Sequence, residues 1–200
     1  LAELANGAIA LSGRLFPRML DSQCQAAGVL APEDLQVWPH TAHVRIDGEQ
    51  PMFIGMACGP ETMQAMACAF LKIGPERCDE ELALDGLGEI VNVLMGYVVR
   101  NVLPDDVQYR AFPPDLATPA AQLAADRDRS LALLMNSRLG PFVLLVGDWP
   151  GVGTAGGIGF SLAALVAARA TIATADLYRA LLRPYLPARV VGAVSLVLTG

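Results

Sequence analysis

The sequence predicts an α+β fold in which long helices pack against a mostly antiparallel sheet. Hydrophobic residues recur at helical spacing over residues 79–102, whereas other apolar runs alternate or are bounded by turn residues, as strands are. Most of these strands come in pairs that are joined by short turns, which is typical of hairpins. Helices and strands do not alternate regularly along the chain, so an α+β arrangement is favoured over strict βαβ units.

The N-terminal region is predicted to be helical. Residues 1–20, LAELANGAIALSGRLFPRML, have helical spacing of apolar side chains. We expect this helix to break near Pro17, because proline lacks the N–H group that a helix interior needs. The residues that follow, as far as Pro32, are rich in turn-forming types and predict an irregular connector.

A strand pair and a second helix are predicted next. Alternation over residues 42–47 and the apolar run at residues 52–58 indicate two strands joined by a turn at Asp47-Gly48. Pro60 and Gly74 then bracket a helical pattern, because proline is favoured in the first turn of a helix and glycine just after the last.

The second half begins with a long helix over residues 79–102, which we expect to end before Pro104. A short strand follows, and Pro113-Pro114 ends it because proline cannot donate to a strand ladder. After a polar loop rich in alanine and proline, two apolar runs predict a closing hairpin that turns at Leu139-Gly140-Pro141.

One face of the long helix carries polar residues within an otherwise apolar pattern. At about 100° per residue, Asp85, Glu89, Asn92 and Gly96 fall in one narrow stripe, and apolar residues cluster on the opposite side. An ordinary solvated helix face gives a similar pattern. Gly96 is harder to explain in that way, because a glycine inside a helix costs about 0.5–1 kcal/mol relative to alanine. The stripe therefore predicts a face that another molecule approaches closely.

Composition argues against several classes of function. The chain has 200 residues and a net charge of −6, so it lacks the basic balance that nucleic-acid binding needs, and acidic membranes would repel it. We therefore expect neither a nucleic-acid partner nor a membrane partner. Four cysteines without a CxxC pair predict reduced, mostly buried thiols of a cytoplasmic protein: Cys24, Cys58, Cys68 and Cys78.

Other common kinds of site find little support in the sequence. His40 and His43 form an H-x-x-H pair on a predicted strand, where residues three apart point to opposite faces, so they suit a metal poorly. The sequence contains no G-x-S-x-G motif for nucleophilic hydrolysis. Trp38 and Trp149 each border a predicted strand and are expected in the core or at its rim. Four methionines are expected in the core: Met52, Met56, Met63 and Met66.

The last part of the chain differs in composition. We divide the chain into a domain at residues 1–149 and a Gly- and Ala-rich apolar segment at residues 150–200. Residues 149–168 carry no charge, a length that fits a membrane helix, but the glycines among them disfavour a span. Gly151, Gly153 and Gly156 match a dinucleotide-binding G-x-G-x-x-G pattern, with Asp176 as a candidate ribose ligand. A glycine-rich connector is favoured, and NAD binding through this loop is an alternative.

The composite motif on the long helix resembles a known family. Asp85-x3-Glu89-x2-Asn92, followed by Gly96 and then by Pro114, is similar to the motif of the CheC/CheX/FliY chemotaxis phosphatases, which dephosphorylate the response regulator CheY. The order of predicted elements is similar over roughly the first three quarters of the chain. The resemblance implies a cytoplasmic CheC/CheX-like domain that hydrolyses the aspartyl phosphate of a CheY-type receiver domain and adjusts two-component signalling.

The resemblance also implies roles for the motif residues. Glu89 and Asn92 would be the catalytic pair, with Asp85, Gly96 and Pro114 in support. A neutral amide at Asn92 suits the orientation of a water molecule beside an anionic phosphoryl group, and Glu89 suits a lysine of the partner. The implied mechanism places Mg²⁺ on the phosphorylated partner, so we expect this chain to bind no metal or other cofactor.

Three alternatives stay open. Glu3 and Asn6 form a second Glu-x-x-Asn pair on the first predicted helix, which is either a second site of the kind that CheC-like members carry or a decayed copy. The second alternative is a non-catalytic module of the same fold that binds a partner or dimerises. A homodimer that exchanges a strand, as in some CheX-like proteins, is a further expectation that the sequence leaves undecided.

Overall fold

A computed structural model describes residues 2–103, 108–126 and 128–149, and it confirms the α+β class. The described α-helices are α1 (Ala2–Leu20), α2 (Pro60–Leu71), α3 (Glu80–Val102) and the single turn α4 (Ala120–Leu123). The described strands are β1 (Cys24–Leu30), β2 (His40–Gly48), β3 (Met52–Cys58), β4 (Tyr109–Ala111), β5 (Ser130–Ser137) and β6 (Gly140–Asp148). Short 3-10 helices lie at Pro32–Val37 and Pro75–Arg77. The C-terminal segment at 150–200, with the NAD and membrane-span alternatives based on it, lies outside the described residues.

The six strands form one antiparallel sheet with the order β1-β5-β6-β3-β2-β4. Helices α1, α2 and α3 cover one face of the sheet and enclose the main hydrophobic core. The 3-10 helix at Pro32–Val37 and α4 cover the opposite face over a smaller apolar cluster. Because both faces are covered, the central strand β3 is buried along its whole length.

Apart from α2 and the 3-10 helix at Pro75–Arg77, which have no counterpart among the described residues, the two halves of the chain have the same order of helix and strands. Helix α1 is followed by β1, β2 and β3, and α3 is followed by β4, β5 and β6. If β1, β2 and β3 are replaced by β4, β5 and β6 and vice versa, the strand order of the sheet reads the same from the opposite edge. An approximate two-fold axis between β3 and β6 has this property. The strand register agrees with this axis. If Val29 corresponds to Asp115 and His43 corresponds to Leu133, the pair Val29–Leu133 becomes the pair Asp115–His43, and both pairs are present. The sheet with α1 and α3 therefore has the topology of an α-β-β-β unit that occurs twice.

The predicted break near Pro17 was wrong, because α1 continues to Leu20. Pro17 lies in the last turn, so its missing N–H weakens only the end of the helix. Phe16 and Leu20 flank it and are buried, and the Phe16 ring stacks on Phe142 of β6 with a centroid distance of 5.1 Å. Tertiary packing of the apolar face therefore holds the helix across the proline.

The irregular connector predicted as far as Pro32 was also wrong, since it contains strand β1 at Cys24–Leu30. Its sequence, CQAAGVL, is poor in the β-branched and aromatic residues that favour strands. Strand β1 is an edge strand that pairs with β5, and the register shifts between Ala26 and Gly28. The strand forms because β5 offers it a partner, which local sequence cannot show.

Two turns lie slightly away from their predicted positions. Asp47 and Gly48 belong to the end of β2, where they pair with β4, and the chain turns just beyond them. The closing hairpin is confirmed, but Ser137 pairs with Gly140, so the turn consists of Arg138 and Leu139. The loop predicted between β4 and β5 includes the single helical turn α4.

The core contains the residues expected there. The four methionines of the prediction are buried, and all four cysteines are free thiols, of which Cys58 and Cys78 are buried. Trp38 and Trp149 are half-buried at the rim of the smaller cluster. Within the described part of the chain, one helix, α3, is long and apolar enough to cross a membrane, but 56% of its most apolar window is buried inside the protein, as in a core helix.

Candidate functional site

Helix α3 carries the predicted motif, and its ends follow from local sequence. The Asp79 side chain accepts a hydrogen bond from the N–H of Leu82 at 2.9 Å and caps the first turn. Glu80 and Glu81 lie in that turn, and Arg100 lies in the last turn, which complements the helix dipole at both ends. The inner face of α3 is fully buried: Leu87, Ile90, Val91, Leu94 and Val98.

The opposite face of α3 presents the predicted stripe. Asp85, Glu89, Asn92 and Gly96 are all exposed, and they follow one another along one side of the helix. None of these side chains is held in a hydrogen bond or ion pair with another described residue. The structure therefore brings four of the predicted site residues together on an open surface where they are free to contact another molecule.

Pro114 is the fifth predicted site residue, and it packs against the same helix beside the stripe. A Cβ atom added at Gly88 would lie 3.3 Å from Pro114 Cβ and 3.1 Å from Leu116 Cδ2. The segment after β4 therefore presses on α3 at the residue that directly precedes Glu89. Gly88 was missed as a site residue, although the glycine beside Glu89 was visible in the sequence.

The turn after Pro114 is fixed by Asp115. Its backbone N–H donates to the carbonyl oxygen of His43 at 2.8 Å, and its own carbonyl accepts from the N–H of His43 at 2.9 Å. The Asp115 carboxylate also accepts hydrogen bonds from the N–H groups of Ala117 at 2.8 Å and Thr118 at 3.0 Å. Burial opposes ionisation of this carboxyl, but these hydrogen bonds outweigh it and lower the pKa of Asp115. Pro114 is thus anchored to the sheet.

A second close approach positions α3 against α2. A Cβ atom added at Gly86 would lie 2.9 Å from Ala67 Cβ and 3.3 Å from Ala67 Cα. The absence of a side chain at Gly86 lets the two helices meet at this point. By contrast, a Cβ atom at Gly96 would meet nothing within 4 Å. The glycine singled out in the sequence therefore faces open space, whereas the two glycines flanking Leu87 make the internal contacts.

The candidate second site lies on α1. Glu3 and Asn6 belong to the helix that the internal two-fold axis relates to α3, and Asn6 is exposed. Pro114 follows Asn92 by 22 residues, and the residue that follows Asn6 by 22 is Gly28 in β1. The first half therefore has the Glu-x-x-Asn pair at the corresponding place but lacks the proline that presses on the helix.

In residues 2–103, 108–126 and 128–149, no group of three or more His, Cys, Asp and Glu side chains converges to form a metal site. His43 is buried and stacks on Trp149 at 5.5 Å between ring centroids, whereas His40 is half-buried. The expectation that the chain itself binds no metal stays a prediction.

The stripe is a helix surface and not a pocket. Two cavities of about 310 and 260 Å³ lie beside the smaller apolar cluster, on the side of the sheet that the 3-10 helix at Pro32–Val37 and α4 cover. They are lined by the segment between β4 and β5 and by residues such as Trp38 and Trp149. A convex, polar helix face is suited to contact with a macromolecule more than to enclosure of a small ligand.

The sheet order and the three covering helices, of which α3 presents the motif on its outer face, define an α+β protein with the CheC/CheX fold. It resembles a CheC-like superfamily protein from Shewanella sp. PV-4 with a TM-score of 0.58 and 12% identity, over 74% of this chain and 97% of that one. The chemotaxis protein CheX of Desulfovibrio desulfuricans matches with a TM-score of 0.57 and 14% identity, over 74% of this chain and 99% of that one.

A third solved structure is a CheX-CheY-BeF3-Mg²⁺ complex from Borrelia burgdorferi, which matches with a TM-score of 0.51 and 12% identity over 73% of this chain and 95% of that one. No protein-family model and no curated protein matches the sequence. The likeness therefore lies in the three-dimensional fold, and it confirms the fold that the motif implied.

Proposed function

We propose that this protein hydrolyses the aspartyl phosphate of a CheY-type receiver domain and so adjusts chemotaxis or a related two-component response. One observation supports this most directly: Glu89 and Asn92 are exposed one turn apart on a helix face that Pro114 braces from within the chain. The CheC/CheX fold and the CheX-CheY complex of Borrelia burgdorferi add support for a receiver partner.

Asn92 is proposed to orient the water molecule. Hydrolysis of an acyl phosphate requires a water in line with the leaving carboxylate, so that a new P–O bond forms as the bond to the aspartate oxygen breaks. The amide oxygen of Asn92 would accept a hydrogen bond from this water, and its N–H group would donate to a phosphoryl oxygen. A carboxylate in its place would repel the phosphoryl group, which explains why a neutral side chain suits this position.

Glu89 is proposed to hold the partner in register. It lies one turn before Asn92 on the same face, and no described residue neutralises it. A lysine of the receiver would form a charge-assisted hydrogen bond with its carboxylate and place Asn92 over the phosphoryl group. Asp85 would extend the acidic part of this face, and Gly96 would leave room for the partner's backbone.

Mg²⁺ is expected on the phosphorylated partner. Among the described residues no group of three or more His, Cys, Asp and Glu side chains converges, and the phosphoryl oxygens that Mg²⁺ prefers as ligands belong to the partner. The ion would neutralise charge on the phosphoryl oxygens, and the residues of this chain would position the water and the partner.

The test is release of phosphate from a cognate receiver domain phosphorylated in the presence of Mg²⁺. The parent chain is expected to accelerate loss of the phosphoryl group, and Asn92→Ala is expected to return it to the basal rate. Asn136→Ala is the matched control, because Asn136 is an exposed asparagine on β5, away from the stripe. Equal acceleration by the parent and Asn92→Ala would contradict the proposed role of the amide.

Binding separates the catalytic proposal from its alternative. If the parent binds the receiver but does not accelerate phosphate release, the protein is a binding module of the CheC/CheX fold and the catalytic proposal fails. Glu89→Gln should weaken binding to the receiver, whereas Glu61→Gln on α2 should not, although both remove one exposed carboxylate. Homodimerisation and the cytoplasmic location stay predictions.

A further inference from the structure

Helices α1 and α3 share more than the Glu-x-x-Asn pair. In α3 an arginine, Arg100, follows Asn92 by eight residues, and in α1 Arg14 follows Asn6 by eight residues. These helices are equivalent under the internal two-fold axis of the sheet. The duplicated unit therefore carries glutamate, asparagine and arginine at one common spacing.

Arg100 lies on the same stripe as the proposed catalytic pair. At about 100° per residue it falls about 20° from Glu89 and 40° from Gly96 around the helix. It is exposed, and among residues 2–103, 108–126 and 128–149 no carboxylate forms an ion pair with it. Gly96, one turn earlier, has open space above it. Within the described part of the chain the guanidinium group is therefore unpaired, and it lies on the side of α3 where the receiver is proposed to dock.

Interaction with the helix dipole does not account for both arginines. Arg100 lies in the last turn of α3, where a positive charge is favourable in any protein. Arg14 lies six residues before Leu20, the last residue of α1, and so precedes the last turn, which holds Arg18. Because the position recurs in both helices but lies in the last turn of only one, the helix dipole explains Arg100 alone, whereas contact along the stripe would explain both arginines.

We propose that Arg100 binds a carboxylate of the receiver domain that Glu89 and Asn92 engage, an inference that rests on the proposed function. The stripe is acidic in its first half, with Asp85 and Glu89, and basic at Arg100. A receiver that docks in the productive direction therefore presents a lysine to Glu89 and an acidic side chain to Arg100, about 16 Å further along the helix. A receiver docked in the reverse direction brings like charges together, so the pair selects the orientation as well as the partner.

The test measures binding to a cognate CheY-type receiver domain loaded with BeF3⁻ and Mg²⁺, which mimic the phosphorylated state. Arg100→Ala is expected to weaken binding about threefold to tenfold and Arg100→Glu at least about tenfold, mainly through slower association. Arg100→Lys should retain most of the affinity because it keeps the charge. The dependence of affinity on salt concentration should become shallower in Arg100→Ala, a change that a purely structural role would not produce.

Arg77→Glu is the matched control, because Arg77 is exposed near the opposite end of α3 and the substitution changes the net charge equally. Binding by the parent that Glu89→Gln weakens and Arg100→Glu leaves unchanged would overturn the inference while the proposed function stands. Equal weakening by Arg77→Glu and Arg100→Glu would also overturn it, since net charge alone would then explain the effect. Failure of the parent chain to bind the receiver would overturn both.

Discussion

The ring of Pro114 packs against α3 at Gly88, the residue that directly precedes Glu89. This contact connects the segment after β4 with the helix that carries the stripe. Asp115 ties the same segment to β2 through paired backbone hydrogen bonds with His43. A proline some twenty residues after the motif thus lies against the turn of the helix from which Glu89 projects, where it would support the helix backbone.

Gly88→Ala is expected to reduce phosphatase activity more than stability. The new methyl group would lie 3.1 Å from Leu116 Cδ2 and 3.3 Å from Pro114 Cβ, so the proline segment or the helix must shift by a few tenths of an ångström. Better helix propensity offsets the crowding, and the free energy of unfolding should change by less than about 1 kcal/mol. Phosphate release from the receiver should slow several-fold, because the water and the phosphoryl group are no longer aligned.

A double variant checks that Pro114 transmits this effect. Pro114→Gly removes the Cβ atom that a methyl group at Gly88 would meet at 3.3 Å, so Gly88→Ala combined with Pro114→Gly should lose less activity than the two single losses together predict. Additive losses, measured in one phosphate-release assay, would mean that the two residues act independently. Unfolding in urea should be followed for all three variants, so that loss of folded protein is not mistaken for loss of activity.

Gly96→Ala should stabilise the protein and weaken its complex. Nothing lies within 4 Å of the added Cβ, so the helix gains about 0.5–1 kcal/mol of stability from the better propensity of alanine. If the receiver backbone approaches this position, the methyl group should raise the Kd for the BeF3⁻-loaded receiver. A more stable variant with unchanged affinity would show that the partner does not approach Gly96.

Sequence was sufficient for α3 and its stripe because their determinants are local. Asp79 caps the first turn, apolar residues recur with one face inward, and the polar residues follow from the same periodicity. The hairpins could be predicted from the sequence for the same reason, since their alternating apolar residues and their turn residues lie close together in the chain. The candidate site could therefore be proposed before any three-dimensional information.

The remaining features depend on residues that are distant in sequence. Strand β1 has little strand propensity and forms because β5 offers it an edge. The sequence shows Gly86 and Gly88 next to motif residues, but it could not show that Ala67 and Pro114 lie against them. The internal duplication was hidden as well, because few identical residues survive and the strand register is needed to align the halves.

Gly86→Ala should increase the distance between α2 and α3 at their contact and destabilise the protein. Its methyl group would lie 2.9 Å from Ala67 Cβ and 3.3 Å from Ala67 Cα, and the second contact is with backbone that cannot rotate away. We expect a net loss of about 1–3 kcal/mol in the free energy of unfolding, measured by urea denaturation. Ala67→Gly in the same chain removes the closer contact and should recover part of the loss. No recovery in the double variant would contradict this account of the helix crossing.

His43 should make the protein less stable as pH falls below about 6.5. It is buried against Phe53 and Trp149, and its Nδ1 atom has no hydrogen-bond partner among the described residues. Burial lowers the pKa of His43, with the charge of Asp115 opposing this shift and that of Arg45 adding to it. Below the ordinary histidine pKa, His43 is protonated in the unfolded chain but stays neutral in the folded protein, so protonation favours unfolding.

Urea unfolding at pH 7.5, 6.5 and 5.5, followed by tryptophan fluorescence, tests this expectation. The parent should lose stability with a slope of at most about 1.4 kcal/mol per pH unit, and His43→Phe, which keeps an aromatic ring in the stack, should lose less over the same range. Subtracting one curve from the other removes contributions that both proteins share, such as that of Asp148, whose pKa is raised by burial. His40→Gln is the matched control, because it removes the other of the two histidines and leaves the aromatic stack of His43 in place. Parallel curves for the parent and His43→Phe would show that the buried imidazole does not oppose protonation.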